Sequence, residues 1–201
     1  MYTELFPYGL CPPSLFQEIV RINYLRYEAS QALLDYSDVT SLSLRAQESL
    51  ARIEAFDTRD WAQPGAHFEE WLTIGSIYKH SIAVYCIMSL SSLTILPILS
   101  FCPSMRKKLS SHGTLLLRHV KPAMLYMAFR RHLAFPLLVA GVEAIYRSES
   151  ERYWIEEALT DLGQVTGASS PLKMRALLRR YWQRDEPGWE ECFTQPYSLI
   201  M

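Results

Sequence analysis

From Ser81 through Met105 the chain carries no charged side chain, and residues 81–102 read SIAVYCIMSLSSLTILPILSFC. A run of that length is enough to cross a bilayer, where about 20 apolar residues suffice. Its composition argues otherwise. Fifteen of those twenty-two residues are apolar, six are Ser or Thr and one is Pro97. Membrane insertion favours unbroken Leu, Ile, Val and Phe. The flanks, Lys79 on one side and Arg106-Lys107-Lys108 on the other, are both basic and set no orientation. Upstream, Phe68, Trp71, Leu72, Gly75, Tyr78, Ile82, Tyr85, Cys86 and Leu93 recur at steps dominated by three and four. That spacing describes one face of a helix that begins amphipathic and becomes apolar all round. The segment therefore reads as a long central helix sunk in a protein core, with no membrane span, stopped or kinked by Pro97.

The remaining segments also carry helical spacing. Leu15, Ile19, Ile22, Arg26, Ala29 and Leu33 mark a helix after Pro12-Pro13, and Leu42, Ala46, Leu50 and Ile53 mark the next. Residues 104–132 form a helical run that Pro122 breaks or kinks. FPLLVAGVEAIY (135–146) and the Trp154, Ile155, Ala158, Leu159, Leu162 pattern predict two helices meeting near Ser148-Glu149, the second closed by Gly163 and Gly167. Ser170-Pro171 predicts a capped start for a helix bearing Met174, Leu177, Leu178, Tyr181 and Trp182. No useful alternating strand emerges. The expectation is an all-α single domain over residues 1–201, with about seven helices in an irregular bundle around the long central one.

Composition narrows the function. With 49% hydrophobic and 20% charged residues the chain is globular in character, and a net charge of -1 provides no global field toward nucleic acid or an acidic membrane. Cys11, Cys86, Cys102 and Cys192 are scattered, which predicts a reducing compartment and no structural zinc. His67, His80, His112, His119 and His132 include no HxxxH pair, so no metal and no cofactor are expected. GxSxG, a glycine-rich phosphate loop and HExxH are all absent. The crowd of Lys173, Arg175, Arg179, Arg180 and Arg184 reads as a solvated face.

Five blocks occur in a characteristic order: YGLCPPSLFQEIVRINYLR, WLTIGSIYKHSIAVYCIMSL, FPLLVAGVEA, ERYWIEEALTDLG and LLRRYWQRDEPGWEECF. In that order they resemble the fungal-specific transcription factor domain, the helical regulatory region downstream of a zinc binuclear cluster. The third block is the most specific. Pro136, Gly141 and Glu143 match the family's pattern, while Val142 stands where it tends to have cysteine. The resemblance covers nearly the whole chain but only the later part of the usual regulatory region, without the six-cysteine head. It implies a regulatory or effector-binding domain linked to secondary metabolism, in the nucleus or cytoplasm. The expected partner is a hydrophobic small molecule or a protein, with no direct DNA binding and homo-oligomerisation left open. Whether the chain is a fragment or a freestanding relative that has shed its DNA-binding end also stays open.

The alternative is a freestanding secondary-metabolism enzyme, a cyclase or isomerase that reuses the helical scaffold and works by positioning. Its acid–base or orienting candidates are Glu143, His80, Tyr78 and Tyr85. Trp71, Tyr78, Tyr85, Phe135, Trp154 and Trp182 are the candidates to line an apolar pocket between helices. For Glu143 the structural reading is an ion pair with Arg147 one turn on, or with Arg152.

Overall fold

A computed structural model of the 201-residue chain describes residues 11–35, 38–97, 101–130, 132–184 and 188–193. These residues are helical, without a strand. The order is α1 (Pro13–Asp35), α2 (Thr40–Ala55), α3 (Thr58–Trp61), α4 (Phe68–Ser92), α5 (Pro103–Ala123), α6 (Met127–Arg130) and α7 (Ala134–Glu143). A 3-10 turn (Ala144–Tyr146) leads to α8 (Glu149–Thr166), α9 (Ser170–Tyr181) and α10 (Trp189–Cys192). The described residues hold ten α-helices, where about seven were expected. The three additions, α3, α6 and α10, are single turns of four residues each, too short to show a 3.6-residue period.

Helix α4 is the uncharged stretch together with its amphipathic approach. It is buried without interruption from Ser81 to Ser91, with Ile74, Gly75 and Ile77 buried one or two turns earlier, and packs against α1, α2, α3, α5, α7 and α10. Ile74, Ile77, Ile82 and Ile87 have no exposed surface, and burying each contributes about 1.5–3 kcal/mol. Its buried hydroxyls are satisfied locally where they can be: Ser81 donates back to the Ile77 carbonyl at 2.7 Å. No described helix is long and apolar enough to cross a membrane. Pro97 does not end α4. The chain leaves the helix at Leu93 and turns at Thr94, at φ 59°, before the proline is reached.

The 104–132 run breaks at Pro122 as its sequence implies, and two later boundaries differ from the pattern. Pro122 lies within the last turn of α5, where Leu125 and Tyr126 tighten onto the carbonyls of Pro122 and Ala123 and bring the helix to a stop. Gly163 is an interior residue of α8, and Gly167 alone closes that helix, at the left-handed φ of 67° that glycine adopts without penalty. The residue before α9 is Ser169 rather than Ser170, and its side chain makes no capping hydrogen bond. Ser148, by contrast, caps α8 by accepting from the Glu151 amide.

Helix α1 corrects its expected face. The buried positions are Leu15, Glu18, Ile22, Leu25 and Ala29, whereas Leu33 is exposed. A carboxylate thus occupies a seam position against α2. All four cysteines are free thiols.

Candidate functional site

One face of α5 carries Arg106, Lys107, Ser110, Ser111, Thr114 and Arg118 at helical spacing. These side chains floor an open groove of about 1120 Å³. The opposite wall comes from Ile145 and Tyr146 of the 3-10 turn, Arg152 of α8, and Trp182 and Arg184 just past α9. The wall is held by main-chain contacts. Arg152 donates to the carbonyls of Ala144 and Ile145 at 2.8 and 2.7 Å, and its guanidinium lies over the Trp182 ring at 5.9 Å. Trp182 donates its indole N–H to the Gly141 carbonyl at 2.8 Å, and Arg184 donates to the Glu191 carbonyl at 2.9 Å. Carbonyl oxygens satisfy donors without cancelling charge. Five cations therefore face the groove, and none of the described residues lining it is acidic.

The groove floor rests on Glu143. This carboxylate is 2% exposed and ion-paired with Arg147 one turn on. Arg147 also pairs with Glu151 at 3.3 Å and donates to the Ser110 carbonyl and the Thr114 hydroxyl, each at 3.2 Å. Helix α5 passes this pair at Gly113, because a Cβ there would lie 2.5 Å from Glu143 Oε1 and 2.6 Å from Arg147 Nη2. Burial raises the Glu143 pKa above the usual carboxylate range, and the guanidinium of Arg147 offsets part of that rise. Arg152 turns to the backbone instead, so the partner of Glu143 is Arg147. A smaller cavity of about 260 Å³ joins Glu143, Arg147 and Glu151 to Arg106 and Ser110.

The other sequence candidates lie elsewhere. His80 meets His112 through their Nδ1 atoms at 2.9 Å and stacks at 6.2 Å on His119. His112 in turn lies 3.5 Å from Glu54, which Lys108 also holds. Burial, then the neighbouring His112, His119 and Lys79, push the His80 pKa down to about 3, so the ring is neutral near pH 7. Among the described residues no group of three or more His, Cys, Asp or Glu has a metal-holding arrangement. Tyr78 donates to the His132 carbonyl at 3.2 Å. Tyr85 donates to Asn23 at 2.5 Å and accepts from Arg26 at 3.2 Å. Burial raises both phenol pKa values, so both stay protonated at neutral pH.

The aromatic candidates separate into distinct packing sites. Trp71 meets Trp61 edge-on at 4.8 Å, Tyr85 joins Phe135 and Trp189, and Trp154 takes Lys121 over its ring. Of the six, only Trp182 lines the groove. The basic run on α9 is partly absorbed by α8, with Arg179 on Glu156 and Arg175 on the Thr160 hydroxyl at 2.7 Å. The groove cations Arg106, Lys107 and Arg118 escaped sequence reasoning, since Arg106-Lys107 stood only as the flank of an uncharged run. The signal was their recurrence with Ser110, Ser111 and Thr114 on one helical face.

The model of the fungal specific transcription factor domain matches residues 7–200. This chain belongs to that family. It is also similar to the phomenoic acid biosynthesis cluster-specific transcriptional regulator of Leptosphaeria maculans, at 34% identity over 196 residues. That match takes in 97% of the chain and 37% of the relative, so the chain spans little more than a third of the relative's length. No solved structure matches. The enzyme alternative gains no support from these likenesses.

Proposed function

We propose that the chain is the regulatory region of a fungal transcription factor that controls a secondary-metabolite gene cluster and works in the nucleus. The observation that carries the reading is the family match over residues 7–200, joined to similarity with a cluster-specific regulator. The geometry agrees with a domain that binds rather than reacts. Glu143 is committed to Arg147, Tyr78 and Tyr85 are buried and hydrogen-bonded, and His80 is paired with His112. In this proposal α4 is the central helix expected from the sequence, since six other helices pack on it.

The test is deletion of the gene in the fungus that carries it, with transcripts of neighbouring genes measured beside the metabolite profile. Loss of both transcripts and product is the expected result. A lost product with unchanged transcripts would overturn the reading and turn attention to the accumulating precursor.

A further inference from the structure

A chain with 20 basic and 21 acidic side chains has no excess of positive charge to spread over its surface, yet among the described residues this groove is lined by five cations and no carboxylate. Among the described residues Arg106, Lys107 and Arg118 have no ion-pair partner, and Arg152 and Arg184 donate to carbonyl oxygens rather than to carboxylates. The contrast with neighbouring cations is sharp. Arg147 is neutralised by Glu143 and Glu151, and Lys108, next in sequence to Lys107, by Glu54.

We propose that this groove docks an acidic peptide segment of a partner protein. From Arg106 to Arg118 the floor of α5 extends for about 18 Å at 1.5 Å per residue, the reach of roughly five or six residues of extended chain. The cations at the two ends of the floor and on the wall suit carboxylates along such a segment. Leu115, Ile145 and the half-buried Trp182 provide apolar contact between them, which a peptide's side chains match and a phosphate backbone does not. Nucleic acid is disfavoured on a second ground. Affinity for phosphates grows with the number neutralised, and here the cationic zone is bounded by Glu143 and Glu151 in the adjoining cavity. The open shape also favours a peptide, because a small molecule would have much of its surface left in water.

The experiment titrates the whole purified chain into a fluorescein-labelled peptide of alternating Glu and Leu or Phe residues, followed by anisotropy. A short DNA duplex and the same peptide with Lys in place of Glu are the comparison probes. Saturable binding of the acidic peptide is expected, weakened at least tenfold in R106E/K107E and in R118E and unchanged in K173E, an exposed control on α9. All these positions are exposed, and a thermal melt of each variant verifies folding. Failure of the peptide to saturate, equal affinity across the variants, or tighter binding of the duplex would each overturn the proposal. The groove's charge does not depend on which genes are controlled, so a negative titration leaves the transcript test unaffected.

Discussion

Two glutamates are equally buried in this molecule and are pushed in opposite directions. Glu18 in α1 is 3% exposed and Glu143 in α7 is 2% exposed. Burial acts on both to raise the pKa. At Glu18 hydrogen bonds from Arg52, Ser49 and Arg21 outweigh it, and the carboxyl is held below its ordinary value. At Glu143 Arg147 alone supplies the counter-charge, burial wins, and the pKa is raised. The difference lies in donor supply and in access to water. Arg21 and Arg52 are about half exposed and keep part of their hydration, whereas Arg147 is 11% exposed. Glu18 is therefore a well-served clasp between α1 and α2, and Glu143 a costly charge under the floor of the basic groove.

The comparison breaks first, and with the largest effect, at the arginines. Arg147→Met leaves Glu143 buried without its counter-charge, a loss of about 3–5 kcal/mol, or roughly 10 °C in Tm for a domain of this size. Arg52→Met leaves Glu18 with Ser49 and Arg21, and about 1 kcal/mol is expected from one lost hydrogen-bonded partner. Thermal melts of both variants at pH 7 measure the contrast. Similar losses at the two sites would show that donor supply does not distinguish them.

How each glutamate was legible follows from the same contrast. Glu143 is conspicuous because it interrupts AFPLLVAGVEAIY, a run with no other charge, and its partner lies one helical turn away at Arg147. Glu18 sits one residue before Ile19, the position the apolar spacing marks as inward, so nothing local marks the glutamate itself as inward-facing. Its main partners, Ser49 and Arg52, belong to another helix. The long helices were readable for the reason Glu143 was, since their pattern is local and periodic. The groove was not, because its two walls come from α5 and from segments beyond α7 that meet only after packing.

A smaller effect, opposite in sign at the two sites, appears with pH. The depressed pKa of Glu18 gives stability that is present above the unfolded value near 4.5 and is lost as pH falls through the folded value. Glu18→Gln should therefore cost most at pH 7, about 1–2 kcal/mol, with the cost shrinking in acid. The raised pKa of Glu143 works the other way, because ionisation inside the fold is penalised as pH rises above 4.5. Glu143→Gln should gain on the parent protein as pH rises, whatever its absolute stability. Urea denaturation of the three proteins from pH 4 to 8 reads both slopes. Parallel curves would refute the assigned directions.

The smallest prediction removes the background on which those slopes are read. His80 faces His112, His119 and Lys79, while Glu54 and Lys108 lie beyond His112. Its folded pKa of about 3 lies below the ordinary histidine value of 6.5. A depressed base binds more protons when unfolded, so its stabilisation is complete above 6.5 and is lost as pH falls toward 3. Burial is the main reason protonation is resisted, and the neighbouring His112, His119 and Lys79 add to it. His80→Asn keeps a polar group near Nδ1 without a titrating ring, so between pH 6.5 and 4.5 the stability curve should flatten. Glu18 acts mainly below 4.5, so this variant separates the two acid losses. A slope unchanged by His80→Asn would assign the whole decline to carboxylates, and the contrast between Glu18 and Glu143 would then account for more of the acid sensitivity than the geometry of the histidine pair implies.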